Sequence, residues 1–171
     1  MGKLALTHIP RPVSSIEITM RTLKKIVGLL ALLAASLSFA PAVQGDPLFT
    51  YPLRIKNHAV RAEIANSEQD RLHGLMFREK LAENGGMIFL YPQPEVTAMW
   101  MKNTRLPLSV AFIGADGRIL NIADMEPYSE QAHPSAGIAA YALEMNRGWF
   151  AKLGIRPGDV VEGLKALPPA K

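Results

Sequence analysis

Trp100, Lys102, Asn103 and Thr104 put an aromatic ring, a cation, an amide and a hydroxyl into one short stretch between two apolar runs. A buried strand has no use for such a set, whereas ligand contacts at a strand end do. Four more residues can complete a site around them: Arg78 adds a guanidinium, Glu144 a carboxylate, Asn146 a second amide and Trp149 a second apolar wall. Alternate residues of a strand share a face. Trp100, Lys102 and Thr104 are therefore expected to point one way, and Ala142, Glu144 and Asn146 to share a face of a later strand. A cleft lined by ring, cation and carboxylate suits a small polar or carbohydrate-like ligand. Each member also has a structural alternative. Asn103 and Thr104 can satisfy a turn, Asn146 can cap a helix, and Arg78 with Glu144 can form an internal ion pair.

Two other chemistries are open to these residue types. Asp124, Glu126 and Glu144 are carboxylates that can supply an acid and a base, as in glycoside hydrolysis. Met99 and Met101 flank Trp100 and can offer thioethers to Cu(I) in an oxidising compartment, although methionine also fills irregular core space. His58, His73 and His133 lie in different segments without ligand spacing, so zinc is not expected. No serine sits in a glycine-flanked nucleophile elbow. No glycine-rich loop matches a phosphate cradle, and Gly85-Gly86 reads as a turn. No cofactor is expected.

The elements that must position these residues follow from pattern. Residues 53–55 and 59–65 read as strands, the second with Val60, Ala62 and Ile64 on one face and Arg61 and Glu63 on the other. Ser67 with Asp70 signals a helix start. That helix is expected to run to about Leu75 and to bury Leu72 and Leu75. Gly74 inside it costs about 1 kcal/mol relative to alanine, which suggests close approach of another backbone. Residues 87–91 form a short apolar strand ended by Pro92 and Pro94. Strands ending near Met101 and spanning residues 108–113 follow. Asp116-Gly117 marks a hairpin into residues 119–125. Residues 139–145 read as a strand, Asn146 as the cap of a short helix over residues 148–153, and Val160-Val161 as a last strand. Hairpins dominate over strand–helix–strand units. The expectation is a mainly β, β-rich α+β fold: an antiparallel sandwich or barrel with two short flanking helices.

Residues 20–45 carry the marks of a secretory signal peptide: basic residues at Arg21, Lys24 and Lys25, an uncharged apolar run over residues 26–39, then small residues around Ala40 and Ala42. Its 14 apolar residues reach only about 21 Å as a helix against a hydrocarbon core of about 30 Å. Membrane contact is expected only through this leader, and the location is periplasmic or secreted. Met20 opens the leader so directly that residues 1–19 read as an upstream extension without structure, which leaves residues 46–171 as one domain. Five of the 19 basic residues and one of the 15 acidic ones precede Asp46, leaving 14 of each from Asp46 onward. The basic pI of about 9.5 therefore belongs mainly to the leader, and no basic stripe remains for a nucleic acid. The chain has no cysteine, hence no disulfide.

Several segments in order resemble one family, the domain of unknown function 192. They are Gly74-Leu75-Met76-Phe77-Arg78-Glu79, Gly86-Met87-Ile88-Phe89, Trp100-Met101-Lys102-Asn103-Thr104 with Pro107-Leu108, Phe112-Ile113 with Asp116-Gly117, and Leu143-Glu144-Met145-Asn146-Arg147-Gly148-Trp149-Phe150 with Pro157-Gly158-Asp159. The resemblance covers roughly residues 60–163. It implies a β-rich, jelly-roll-like fold in a frequently exported protein and brings no established catalytic residues. The expected function is non-catalytic binding of a small polar ligand or an envelope protein. A hydrolase using paired carboxylates and periplasmic copper handling are the alternatives.

Overall fold

The computed structural model describes residues 50–171; the leader and the upstream extension lie outside them. β1 (Tyr51–Ile55) and β2 (His58–Ala65) form a hairpin. Helix α1 (Glu68–His73) follows, with Ser67 and Asp70 exchanging capping hydrogen bonds as the sequence predicts. Next come β3 (Gly85–Glu95), β4 (Ala98–Met99), β5 (Leu108–Ile113), β6 (Ile119–Met125), β7 (His133–Pro134) and β8 (Ala139–Asn146). The short helix α2 (Trp149–Lys152), β9 (Val161–Glu162) and a 3-10 turn (Leu164–Ala166) complete the domain.

Seven strands form one curled sheet in the order β6-β5-β8-β3-β2-β1-β9, and β4 pairs with β7 in a separate ribbon. The sheet edges are stitched at one end. Arg118 bridges Val160, Ile119 N donates to Asp159 O at 2.9 Å, and Val161 N donates to Gly117 O at 2.9 Å. The fold is mainly β with two short helices, as expected, and antiparallel pairing dominates. One pairing departs from the hairpin pattern: β2 and β3 run parallel. The segment carrying α1 is the crossover that parallel neighbours require.

Both faces of the sheet are covered. Ile88, Leu90, Ala111, Ile113, Leu143 and Met145 lie in one apolar cluster with Trp149 and Phe150 of α2. Met87, Phe89, Leu108, Val110, Phe112 and Ala142 lie in a second, with Leu75, Met101 and Leu106. Strand alternation between the two clusters explains why β5 is buried at every position.

Several local expectations are corrected. α1 has no buried residue, and Leu72 is 67% exposed; the apolar anchor is Leu75, just beyond the helix. Gly74 meets no second backbone. It ends α1 at φ +49°, and its nearest neighbour is the Phe89 ring. β3 continues through Pro92 and Pro94 to Glu95. Gly85-Gly86 opens that strand rather than turning. Residues 100–107 form loop and turn, so Trp100, Lys102 and Thr104 do not share a strand face. Asn146 ends β8 and its Nδ2 donates to Ala82 O at 2.8 Å; Gly148, at φ +75°, precedes α2 instead.

Gly86 is where β3 and β8 meet most closely. A Cβ there would stand 2.5 Å from Glu144 O and would also strike the Met145 sulfur. Gly86→Ala is expected to cost roughly 1–3 kcal/mol, as overpacking does in well-filled cores. A lower urea midpoint at unchanged m-value checks this; an unaltered midpoint would show that the strands can part freely here.

Candidate functional site

A cavity of about 430 Å³ opens beside the second apolar cluster. Its walls come from α1 and the residues just after it (Arg71, His73, Leu75), from β3 (Phe89, Tyr91, Glu95) and from residues 97–104 (Met99, Trp100, Thr104). Glu144 of β8 also lines it. That volume lies in the range of roughly 300–1,000 Å³ seen for small-ligand pockets.

Glu144 is the chemically unusual member. Cross-strand pairing places Met87 on one side of it and Val110 on the other. The residue is 3% exposed. Among the described residues no ion pair involves it, and no buried side-chain polar atom is both sealed from solvent and unpaired. Its carboxyl therefore reaches open space through the cavity. Burial alone pushes its pKa up to about 8, because a carboxylate without a partner is costly in apolar surroundings. Folded at neutral pH, Glu144 carries a proton.

The other ionisable groups around the cavity are Glu68, Arg71, His73, Tyr91 and Glu95. The Arg71 guanidinium is occupied by backbone: it donates to Asn66 O at 2.8 Å, Leu90 O at 3.0 Å and Lys171 O at 3.1 Å. Burial raises the Tyr91 pKa, and its hydroxyl donates to Met99 Sδ at 3.6 Å. Thr104 Oγ1 donates to Lys102 O at 3.1 Å, which leaves that hydroxyl oxygen able to accept.

Of the eight residues read as a ligand constellation, Trp100, Thr104 and Glu144 line this cavity. The other five lie elsewhere. Arg78 pairs with Glu63 of β2, not with Glu144. Register explains this: Glu63, Met87 and Glu144 form one row across β2, β3 and β8, so the two carboxylates stand two strands, roughly 10 Å, apart. Lys102 sits over the outer Trp100 ring, 5.2 Å from its centroid. Asn103 occupies a turn at φ +54°, and its carbonyl accepts from Phe77 N at 3.0 Å. Asn146 is bound to Ala82. Trp149 is buried in the first cluster, its Nε1 donating to Asn84 Oδ1 at 3.0 Å.

The alternative constellations also separate. Asp124 and Glu126 are both held by Arg147, at 3.9 and 2.6 Å. Asp124 pairs across to Ser109, which neighbours Met145. It therefore shares the Met145 face of the sheet, opposite Glu144, and the two cannot act on one substrate bond. Met99 lines the cavity whereas Met101 is fully buried in the second cluster, so these thioethers do not share an open site. Among the described residues no group of three or more histidine and carboxylate side chains can hold a metal ion. Sequence reasoning missed Glu68, Arg71, Tyr91 and Glu95. The prolines after Tyr91 read as a strand end, which hid Glu95 from the same strand.

The raised Glu144 pKa has a signed consequence for stability. Between pH 4.5 and about 8 the folded state holds a proton that the unfolded state has lost. Stability from this group is therefore full below pH 4.5 and declines as pH rises through about 8, by up to about 1.4 kcal/mol per unit. Glu144→Gln lacks this decline. Denaturant titrations at pH 5 and pH 9 are expected to show the variant gaining on the parent by a few kcal/mol across that interval. Parallel curves would mean that the carboxyl is solvated.

The family model described as an uncharacterized ACR, domain of unknown function 192, matches residues 51–163. A crystal structure of a protein of unknown function from Novosphingobium aromaticivorans DSM 12444 is similar at 42% identity and TM-score 0.63, covering 65% of this chain and 83% of that one. A second, from Sinorhizobium meliloti 1021 and described as a candidate transcription regulator, is similar at 37% identity and TM-score 0.65, covering 67% and 96%. No curated protein matches the chain. With nearly all of the described domain inside the matched region, the chain belongs to the family domain of unknown function 192.

Proposed function

We propose that this protein is an exported, non-catalytic binding domain that takes a small ligand in the Glu144 cavity. The observation that carries this is a buried carboxyl that has no ion-pair partner among the described residues and lines the cavity. A ligand polar group at Glu144 supplies the missing hydrogen bond. Phe89, Met99 and Trp100 offer apolar surface to the rest of the molecule. The leader pattern in residues 20–45 supports export. Hydrolysis is less well supported, because Asp124 and Glu126 are held by Arg147 and do not join Glu144 in the cavity. The description of the Sinorhizobium meliloti neighbour suggests a nucleic-acid partner, but the balanced charge beyond Asp46 argues against one. So do helices of only six and four residues among those described, too short to fill a major groove as recognition helices do.

Thermal unfolding of the purified protein against a panel of sugars, amino acids, amines and nucleotides tests the reading. A ligand at a hundred times its dissociation constant is expected to add about 2.7 kcal/mol. The gain is expected to disappear in Trp100→Ala and to survive in Lys102→Ala, since Lys102 lies outside the cavity. A panel without any shift, or a shift indifferent to Trp100, would refute the cavity as a binding site.

A further inference from the structure

We infer that the ligand of this cavity is an organic cation, a primary amine on an apolar or aromatic body, whose ammonium group pairs with Glu144. The inference rests on the small-ligand reading above and names its chemical class.

Carboxyl groups outnumber guanidinium groups around the cavity. From α1 come Glu68, His73 and Arg71; from β3 come Tyr91 and Glu95; from β8 comes Glu144. β5 faces Glu144 with Leu108, Val110 and Phe112 and brings no titratable group. On β2, Glu63 already has Arg78. Arg71 is the one guanidinium lining the cavity, and three backbone carbonyls hold it. Among the described residues Glu144 thus has no cation paired with it, while Glu68 and Glu95 supply carboxylates around the opening. An anionic ligand would meet three carboxyl groups. A neutral polyol needs many hydrogen-bond partners, yet Tyr91 and Thr104 donate to the protein itself. A cation meets the carboxyl groups of Glu144, Glu68 and Glu95 and the ring of Tyr91, against the single positive charge of Arg71 in the wall. The apolar remainder, with Leu75, Phe89 and Met99, leaves room for a body larger than the ammonium group.

Such pairing exchanges one charge for another inside the cavity. Glu144 gives up its proton as the ammonium arrives, and the proton leaves to solvent. An alkyl ammonium keeps its own proton well above neutral pH, so one proton is released per ligand bound. Affinity then rises with pH until Glu144 is already ionised in the free protein.

Isothermal titration with phenethylamine, tryptamine, hexylamine and cadaverine, each against the corresponding alcohol, tests this. At least one amine is expected to bind tenfold or more tightly than its alcohol. Its affinity is expected to rise up to tenfold per pH unit between pH 6 and 8 and to level off above. Buffers of different ionisation enthalpy would register the released proton. Glu144→Gln should remove both the amine preference and the proton release. Glu95→Gln, at an exposed position, should weaken amine binding several-fold more than it weakens alcohol binding. Alcohols binding as well as amines, or amine binding without proton release, would overturn the cation assignment. If no amine binds while another class shifts the unfolding temperature, the assignment falls and the small-ligand reading stands. If neither occurs, both fall.

Discussion

The row of side chains across β2, β3, β8 and β5 that holds Glu63, Met87, Glu144 and Val110 constrains everything around the cavity. Two of these four residues are acidic, and their fates differ because of what covers each. Arg78 reaches Glu63 from the segment after α1. Met87 and Val110 flank Glu144, and among the described residues no cation pairs with it. Register decides this outcome. A slip of β8 by one residue would send Glu144 into the first apolar cluster and Leu143 or Met145 toward the cavity. Gly86 holds the register from the other strand, since only a residue without a side chain lets β3 approach Glu144 and Met145 this closely.

The cavity wall opposite the sheet is loop, yet backbone hydrogen bonds tie it down at several points. Ser135 N donates to Thr97 O at 2.8 Å, Met101 N to Ser129 O at 2.8 Å, and Tyr128 N to Thr104 O at 3.0 Å. Phe77 N donates to Asn103 O from the α1 side. Residues 97–104 are therefore braced by two neighbouring segments. Met101 plugs the segment into the core beneath it while Trp100 remains 46% exposed at the rim. Alternation along this loop separates an anchor from a contact surface. Met99, the last residue of β4, lines the cavity, whereas Met101, already in the loop, packs into the second cluster.

Local signals were legible in the sequence and long-range ones were not. β6 and the Asp116-Gly117 hairpin depend on neighbours a few residues away, and so does the Ser67–Asp70 cap; each is found where its pattern puts it. The same holds for the apolar run of β5. The parallel pairing of β2 with β3 depends on a crossover whose helix has no buried face, so no periodicity announced it. Glu144 was identified as chemically interesting by type and by its place in a strand of core residues. The ion pair with Arg78 that the sequence left open is not formed, because the choice between Glu63 and Glu144 is made by strand order. Arg71 escaped notice for a related reason: its three carbonyl partners, Asn66, Leu90 and Lys171, come together only in the fold.

Folding alone does not account for a glutamate at position 144. The site is almost sealed and lies between Met87 and Val110, where a leucine would continue the apolar row and add contact area. A buried carboxyl without a partner is destabilising there even when protonated, since its hydrogen-bonding groups have left water without full replacement. Buried acids in sheet interiors are ordinarily matched, and even the half-buried Glu63, two strands along the same row, is paired with Arg78. The unmatched one lines the cavity, and the cavity's own arginine is committed to the backbone. A stability cost concentrated at one residue, beside a cavity of ligand size, is what the proposed binding role of Glu144 would explain.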